Sequence, residues 1–125
     1  MPSARLSDRA TLLVSGEERL HFLQNLVTAD LDTLEAGEAR PAALLTPQGK
    51  ILFDFLVSQT GDAIRLDVSA NARGDLAKRL TLYKLRAKVA IKPSDEAVAA
   101  VWDESAPDGA YADKRFPATA FRLYG

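Results

Sequence analysis

Asp54 has the setting in this chain that most invites chemistry. It lies between Leu52 and Leu56 in the run from Lys50 to Ser58, where Ile51, Phe53, Phe55 and Val57 are apolar on one side and Leu52 and Leu56 on the other. A strand patterned in this way is expected to be covered on both faces. A carboxylate inside it must be hydrogen-bonded, paired with a cation or protonated, and each of these states is a common feature of ligand sites. The same carboxylate could instead bond backbone amides at a sheet edge, a structural duty with no ligand.

Other residues offer less specific chemistry. His21 is the only histidine, so a metal cluster or a Ser-His-Asp triad would have to be built around it alone, and its place on the polar side of a helix makes it a solvated surface group. Arg73 to Lys92 holds seven cations, among them Lys78, Arg79, Lys84 and Arg86, against the single acid Asp75. That run is either a local basic surface for an anionic ligand, RNA or a polyglutamyl tail, or a solvated helix face. Tyr83 can pack in the core or stack on a flat ligand, whereas Trp102 is expected in the core. Gly49 lacks the following Lys-Ser/Thr and the strand-to-helix context of a phosphate loop, so Thr46-Pro47-Gln48-Gly49 reads as a hairpin turn.

The elements that must position these groups form an α+β pattern, an antiparallel meander sheet with two packed helices. Ala10 to Val14 reads as a strand, and Ser15-Gly16 opens an amphipathic helix from Glu17 to Val27. A short turn from Leu31 to Leu34 follows. The meander comprises Ala42 to Thr46, Lys50 to Ser58 and Ala63 to Val68; in its last strand Arg65 and Asp67 alternate with Ile64, Leu66 and Val68, as one wet face requires. Ser69 or Asn71 caps a helix to about Tyr83 with Leu76, Leu80 and Tyr83 on one stripe. Ala87 to Ile91 returns as a strand. A boundary is expected near residue 94, giving a domain over 1–94 and the truncated start of a second over 95–125, with a strand from Ala97 to Trp102, a turn at Pro107-Asp108-Gly109 and a further strand opening at Phe121.

Composition bounds the alternatives. The chain has 125 residues, is 47% hydrophobic and 26% charged, and contains no cysteine, which suits a single-core globular domain and excludes a disulfide framework or a Cys-ligated metal. A formal net charge of -1 removes wholesale attraction to nucleic acid or anionic membrane as a leading account. No apolar run is long enough to span a bilayer and residues 1–15 lack a signal core, so a cytoplasmic protein is expected.

Three segments carry a resemblance. Phe22-Leu23-Gln24-Asn25-Leu26-Val27-Thr28-Ala29-Asp30, the run from Leu44 to Val57 through Thr46-Pro47-Gln48-Gly49-Lys50, and Tyr83-Lys84-Leu85-Arg86-Ala87-Lys88-Val89 resemble, in order and spacing, the N-terminal half of the YgfZ-type folate-binding proteins. These are relatives of the glycine-cleavage T protein, an aminomethyltransferase. The resemblance covers about residues 6–125, and its most specific piece is Thr46 to Val57. It implies an N-terminal folate-binding domain of T-protein-like architecture, tetrahydrofolate as cofactor, and a role as an accessory protein in iron–sulfur cluster assembly or repair linked to tRNA modification. Folate and iron–sulfur client proteins are then the expected partners. Asp54 would bond or line the pterin pocket, with Tyr83 and Arg86 contributing contacts. Ser69 stands where the T-protein relatives have Asn in a Val-Asn-Ala stretch.

Two departures qualify that implication. The T protein carries Gly-Gly-x-x-Asp-Asp where this chain has Gly49-Lys50-Ile51-Leu52-Phe53-Asp54, so Phe53 replaces the first acid, and alternation points it away from Asp54. Aminomethyl transfer is therefore disfavoured. The Lys-Gly-Cys-Tyr-x-Gly-Gln-Glu motif of the YgfZ-type proteins is absent from these residues, and the chain reads as their N-terminal portion. The alternatives are a folate-dependent aminomethyltransferase, or a non-catalytic RNA- or protein-binding module that uses Arg73 to Lys92.

Overall fold

The computed structural model describes residues 3–102, 109–115 and 120–125. Pro107 and Asp108 of the expected turn lie outside them. The chain runs β1 (Ser3–Arg5), β2 (Arg9–Ser15), α1 (Arg19–Gln24), β3 (Glu38–Leu45), β4 (Ile51–Thr60), β5 (Ala63–Ser69), α2 (Arg73–Lys84), β6 (Ala90–Ser94), β7 (Val98–Trp102), β8 (Tyr111–Asp113) and β9 (Ala120–Tyr124). The strands join one sheet in the order β1-β7-β9-β8-β3-β4-β5-β2-β6. β8 lies parallel to β3, and the other strand pairs are antiparallel.

The expected meander is β3-β4-β5. Its first turn closes through the Gly49 N–H donating to the Thr46 carbonyl at 2.9 Å and the Thr46 N–H donating to the Lys50 carbonyl at 2.8 Å. Gly49 sits at φ 87°, a conformation that glycine adopts without steric cost.

Alternation sorts the sheet into two faces. One face carries Leu12 and Val14 of β2, Phe55 and Val57 of β4, and Ile64, Leu66 and Val68 of β5. It packs against Phe22 and Leu23 of α1 and Leu76 and Leu80 of α2 in a single apolar core. Each such side chain stabilises the fold by about 1.5–3 kcal/mol of transfer free energy.

α1 is shorter than the periodicity predicts. At its start Gly16 sits at φ 112°, and a Cβ there would lie 2.2 Å from the Lys88 carbonyl oxygen, so the chain enters through a tight turn against the Lys88-Val89 backbone. At its end Val27 leaves the helix to bridge Leu44 of β3, and Thr28 exchanges hydrogen bonds with Ala43, donating its N–H to the Ala43 carbonyl and accepting the Ala43 N–H on its Oγ1.

The expectation of a wet face on β5 is overturned. Arg65 is 3% exposed and Asp67 is fully buried. The cause lies in the later strands: β9 is separated from β5 by three strands in the sheet order, yet the Tyr124 hydroxyl donates to Asp67 at 2.8 Å. The sheet therefore curls until β7–β9 cover the polar face of β5. Trp102, expected in the core, is 48% exposed. It follows the buried Val101 on β7, and alternation turns it to the other side.

Candidate functional site

Asp54 lies on a projecting hairpin arm. β4 pairs with β5 from Phe55 onward, whereas Ile51, Phe53 and Asp54 pair with β3 alone. The tip of the β3–β4 hairpin thus extends past β5, and Asp54, opposite Ala43, is exposed. This corrects the expectation of a strand covered on both faces: double coverage begins at Phe55, with Leu56 and Ser58 buried on the polar face and Phe55 and Val57 on the core face. Asp54 makes no hydrogen bond or ion pair among the described residues, so its carboxylate is free to accept donors from outside.

The β4–β5 ladder ends at the Phe55–Val68 pair, and Asp54 and Ser69 each lie one residue beyond it, on the same face of the sheet. Ser69 in turn pairs with Arg9 of β2. Asp54, Ser69 and Arg9 thus form a row by face at the end of that ladder. Ser69 is half-buried.

Beneath this row the curl is filled by ionic groups. Asp67 accepts Arg9 Nε on Oδ1 at 2.8 Å and the Tyr124 hydroxyl on Oδ2 at 2.8 Å, with Arg122 Nε at 3.4 Å. Arg65 grips Glu96 through Nε at 3.0 Å and Nη2 at 2.8 Å. Its guanidinium lies 4.0 Å from the ring centre of Tyr124 and 5.1 Å from that of Tyr111, both within cation–π reach. Asp113 is held by Arg115 through a side-chain bond to each carboxylate oxygen.

These partners set the protonation of the cluster. Burial alone would raise the Glu96 carboxyl, but the hydrogen bonds and charge of Arg65 outweigh it and hold Glu96 below the usual range. Asp113 is likewise lowered, burial being outweighed by the Arg115 hydrogen bonds. Burial, reinforced by the Asp67 charge, pushes the Tyr124 phenol well above its ordinary value, so Tyr124 is a donor at neutral pH. The sequence pattern showed the alternation of Arg65 and Asp67 but missed their role. The available signal was Arg122 and Tyr124, whose polar groups alternate with Phe121 and Leu123 in the last strand.

Tyr83 and Arg86 lie elsewhere. α2 packs on the Phe55 and Val57 side of the sheet, so these two exposed residues of α2 and its exit stand on the opposite side from Asp54 and Ser69. The structure sets Asp54 and Ser69 on one face of the sheet and Tyr83 and Arg86 on the other side. His21 is exposed on α1, with its ring Nε2 at 3.4 Å from Asn25 Nδ2. Among the described residues no cluster of His, Cys, Asp or Glu is placed to hold a metal ion, and no helix is long and apolar enough to cross a membrane.

Comparison with known proteins adds to this geometry. No protein-family model matches the chain. The mitochondrial iron–sulfur cluster assembly factor IBA57 homolog of Pyricularia oryzae is 31% identical across 94% of this chain. The tRNA-modifying protein YgfZ of Yersinia pestis is 28% identical across 74% of it. The chain is a homologue of the IBA57 and YgfZ proteins. Among solved structures, the glycine cleavage system aminomethyltransferase T of Bartonella henselae superposes on 98% of the chain with a TM-score of 0.79 at 14% identity, which shows a shared fold and accords with the expected α+β class. The match spans 34% of the IBA57 homolog, 28% of YgfZ and 41% of the T protein. The chain thus spans about a third of the length of the curated relatives it matches.

Proposed function

We propose that this IBA57/YgfZ homologue is a tetrahydrofolate-binding accessory protein in iron–sulfur cluster assembly or repair, linked to tRNA modification, with Asp54 and Ser69 forming part of the folate site. The observation that carries the reading is the 31% identity with an iron–sulfur cluster assembly factor homolog in a match that spans 94% of the chain. The donor set supports it. A pterin ring presents N–H donors along one edge, and Asp54 offers an exposed carboxylate with no competing partner among the described residues, on the same face as half-buried Ser69. Leu52, half-buried, flanks Asp54 on the same face and adds apolar area beside the carboxylate, whereas Leu56 beyond it is already covered.

Phe53 argues against aminomethyl transfer as the activity. It occupies the first acid position of the T-protein run and points to the α2 side, where it lines a hollow with Asp75, Arg79 and Leu82. A single carboxylate on the Asp54 face can bind a pterin edge, whereas the transferase pattern supplies an acid at both positions.

Anaerobic titration calorimetry with tetrahydrofolate tests the folate assignment. Binding is expected, weakened about tenfold or more by Asp54→Asn, in line with loss of a charge-assisted hydrogen bond. Absence of heat, or an Asp54→Asn variant that binds like the parent, would remove it. The accessory role is tested in cells lacking their own IBA57 or YgfZ protein. Recovery of iron–sulfur enzyme activity on expression supports the reading, and no recovery from a folate-binding, folded protein counts against it.

A further inference from the structure

Arg9 carries a donor that the fold does not use. Its Nε donates to Asp67 Oδ1 at 2.8 Å and its Nη2 to the Asp67 backbone carbonyl, which fixes one edge of the guanidinium on β5. Asp67 is fully buried, and its other carboxylate oxygen is taken by the Tyr124 hydroxyl, so the Arg9 side chain is locked from below. Nη1 donates to nothing among the described residues and, unlike Arg19 Nε and Arg122 Nε, is not closed off from solvent. The side chain as a whole is 18% exposed. Nη1 is therefore the outward part of a pre-organised fork.

That fork lies on the face of Asp54. Asp67, which holds it, pairs with Leu56, and Asp54 is the previous residue of the same face on β4, about 7 Å along the strand from Leu56. Arg9 and Asp54 form no ion pair among the described residues. The face thus offers a free acceptor and a free donor within reach of one bicyclic ring. In a tetrahydropterin the 4-oxo oxygen is flanked on either side by a ring N–H. Whichever of these N–H groups Asp54 accepts, an oxygen that needs a donor lies beside it.

We propose that Arg9 Nη1 donates to the 4-oxo oxygen of the bound pterin and makes the site selective for a 4-oxo ring over a 4-amino ring. The assignment rests on the folate reading above and adds a second residue to it. A 4-amino group would turn its own N–H toward the guanidinium, setting donor against donor. Arg9 as no more than the counter-ion of Asp67 would leave ligand choice untouched. Arg9→Lys separates the two duties, because lysine keeps a cation for Asp67 but has a single nitrogen and none to spare for a ligand.

Anaerobic titration calorimetry of the full chain compares tetrahydrofolate with its 4-amino counterpart, and NMR follows tetrahydrofolate labelled with carbon-13 at the 4-oxo carbon, at saturation. The parent is expected to bind the 4-oxo compound at least about tenfold more tightly and to move the labelled carbon downfield of its free position. Arg9→Lys, with the circular dichroism of the parent, should weaken tetrahydrofolate about tenfold, narrow the preference and return the labelled carbon toward its free position. Asp54→Asn should weaken binding yet keep the downfield shift. Equal affinity of the parent for the two compounds, or a labelled carbon that does not move on binding, would overturn the assignment even if Arg9→Lys fails to fold. Binding that Asp54→Asn weakens and a folded Arg9→Lys leaves intact overturns the Arg9 assignment alone. Absence of tetrahydrofolate binding to the parent removes the folate reading and this assignment together.

Discussion

Asp54 and Asp67 occupy the same face of neighbouring strands, yet their environments assign them opposite duties. Asp67 has no solvent and is closed in by Arg9, Arg122 and Tyr124. Removing its charge leaves part-buried Arg9 without its carboxylate partner and buried Arg122 with only Asp113, at 3.8 Å. Asp67→Asn is therefore expected to lower the free energy of unfolding by about 3–5 kcal/mol, measured by urea denaturation. Asp54→Asn is expected to stay within about 0.5 kcal/mol of the parent, because that carboxylate is exposed and makes no hydrogen bond or ion pair among the described residues. Glu96 adds a pH dependence. Its folded carboxyl titrates below the ordinary value of 4.5, so its stabilisation is complete above that pH and is lost as acid carries the protein down through the folded value. Asp113, lowered from 3.8, works in the same sense. The urea midpoint should thus fall from neutral pH to about pH 3, and Glu96→Gln should start about 1–2 kcal/mol lower and lose less on acidification. A variant whose acid slope matches that of the parent would show that the Arg65–Glu96 pair does not govern this loss.

At the scale of elements, alternation made the β4 and β5 strands legible, because one face of each lies on the helices and its residues had to be apolar. Coverage of the second face was not legible in the same way. Arg65 and Asp67 carry the signature of a wet surface, and their burial depends on strands separated from them by α2 and two further connections. The exposure of Asp54 likewise depends on β5 ending its pairing at Val68, a limit set by the neighbour and not by β4 itself. That Asp54 and Ser69 share a face was hidden for the same reason, since it depends on how β4 and β5 are aligned. α2 shows the converse. Its buried stripe reduces to Leu76 and Leu80, and Tyr83, expected on that stripe, is exposed. Leu85 ends the helix at φ 44°, where glycine is the usual residue. Leu85→Gly should raise stability by up to about 1 kcal/mol, because relief of the left-handed strain exceeds the added chain entropy and almost no burial is lost. A loss of stability in the same urea assay would mean that Leu85 supports the fold and is not merely held out to solvent.

For the whole molecule, the question is how firmly β7, β8 and β9 belong to the rest. The apolar core between the sheet and the helices draws its buried members from Leu12 to Val89, and Val98, Val101, Ala120 and Phe121 are buried outside it. Between the two groups run the short parallel pairing of Glu38 and Ala39 with Ala112 and Asp113, and the ion cluster around Asp67 and Arg65. We propose a boundary near residue 94 on this asymmetry, with the residues after it opening more readily than the core. In native-state hydrogen exchange at low denaturant, the amides of Ala100 and Arg122 should exchange through an opening that leaves Leu12, Val57 and Leu66 protected. Asp67→Asn should accelerate Ala100 and Arg122 more than Val57, because the lost charge fastens the curl and the apolar core does not depend on it. If all these amides exchange with one common free energy in both proteins, the curl and core unfold together and the chain is a single cooperative unit across residue 94.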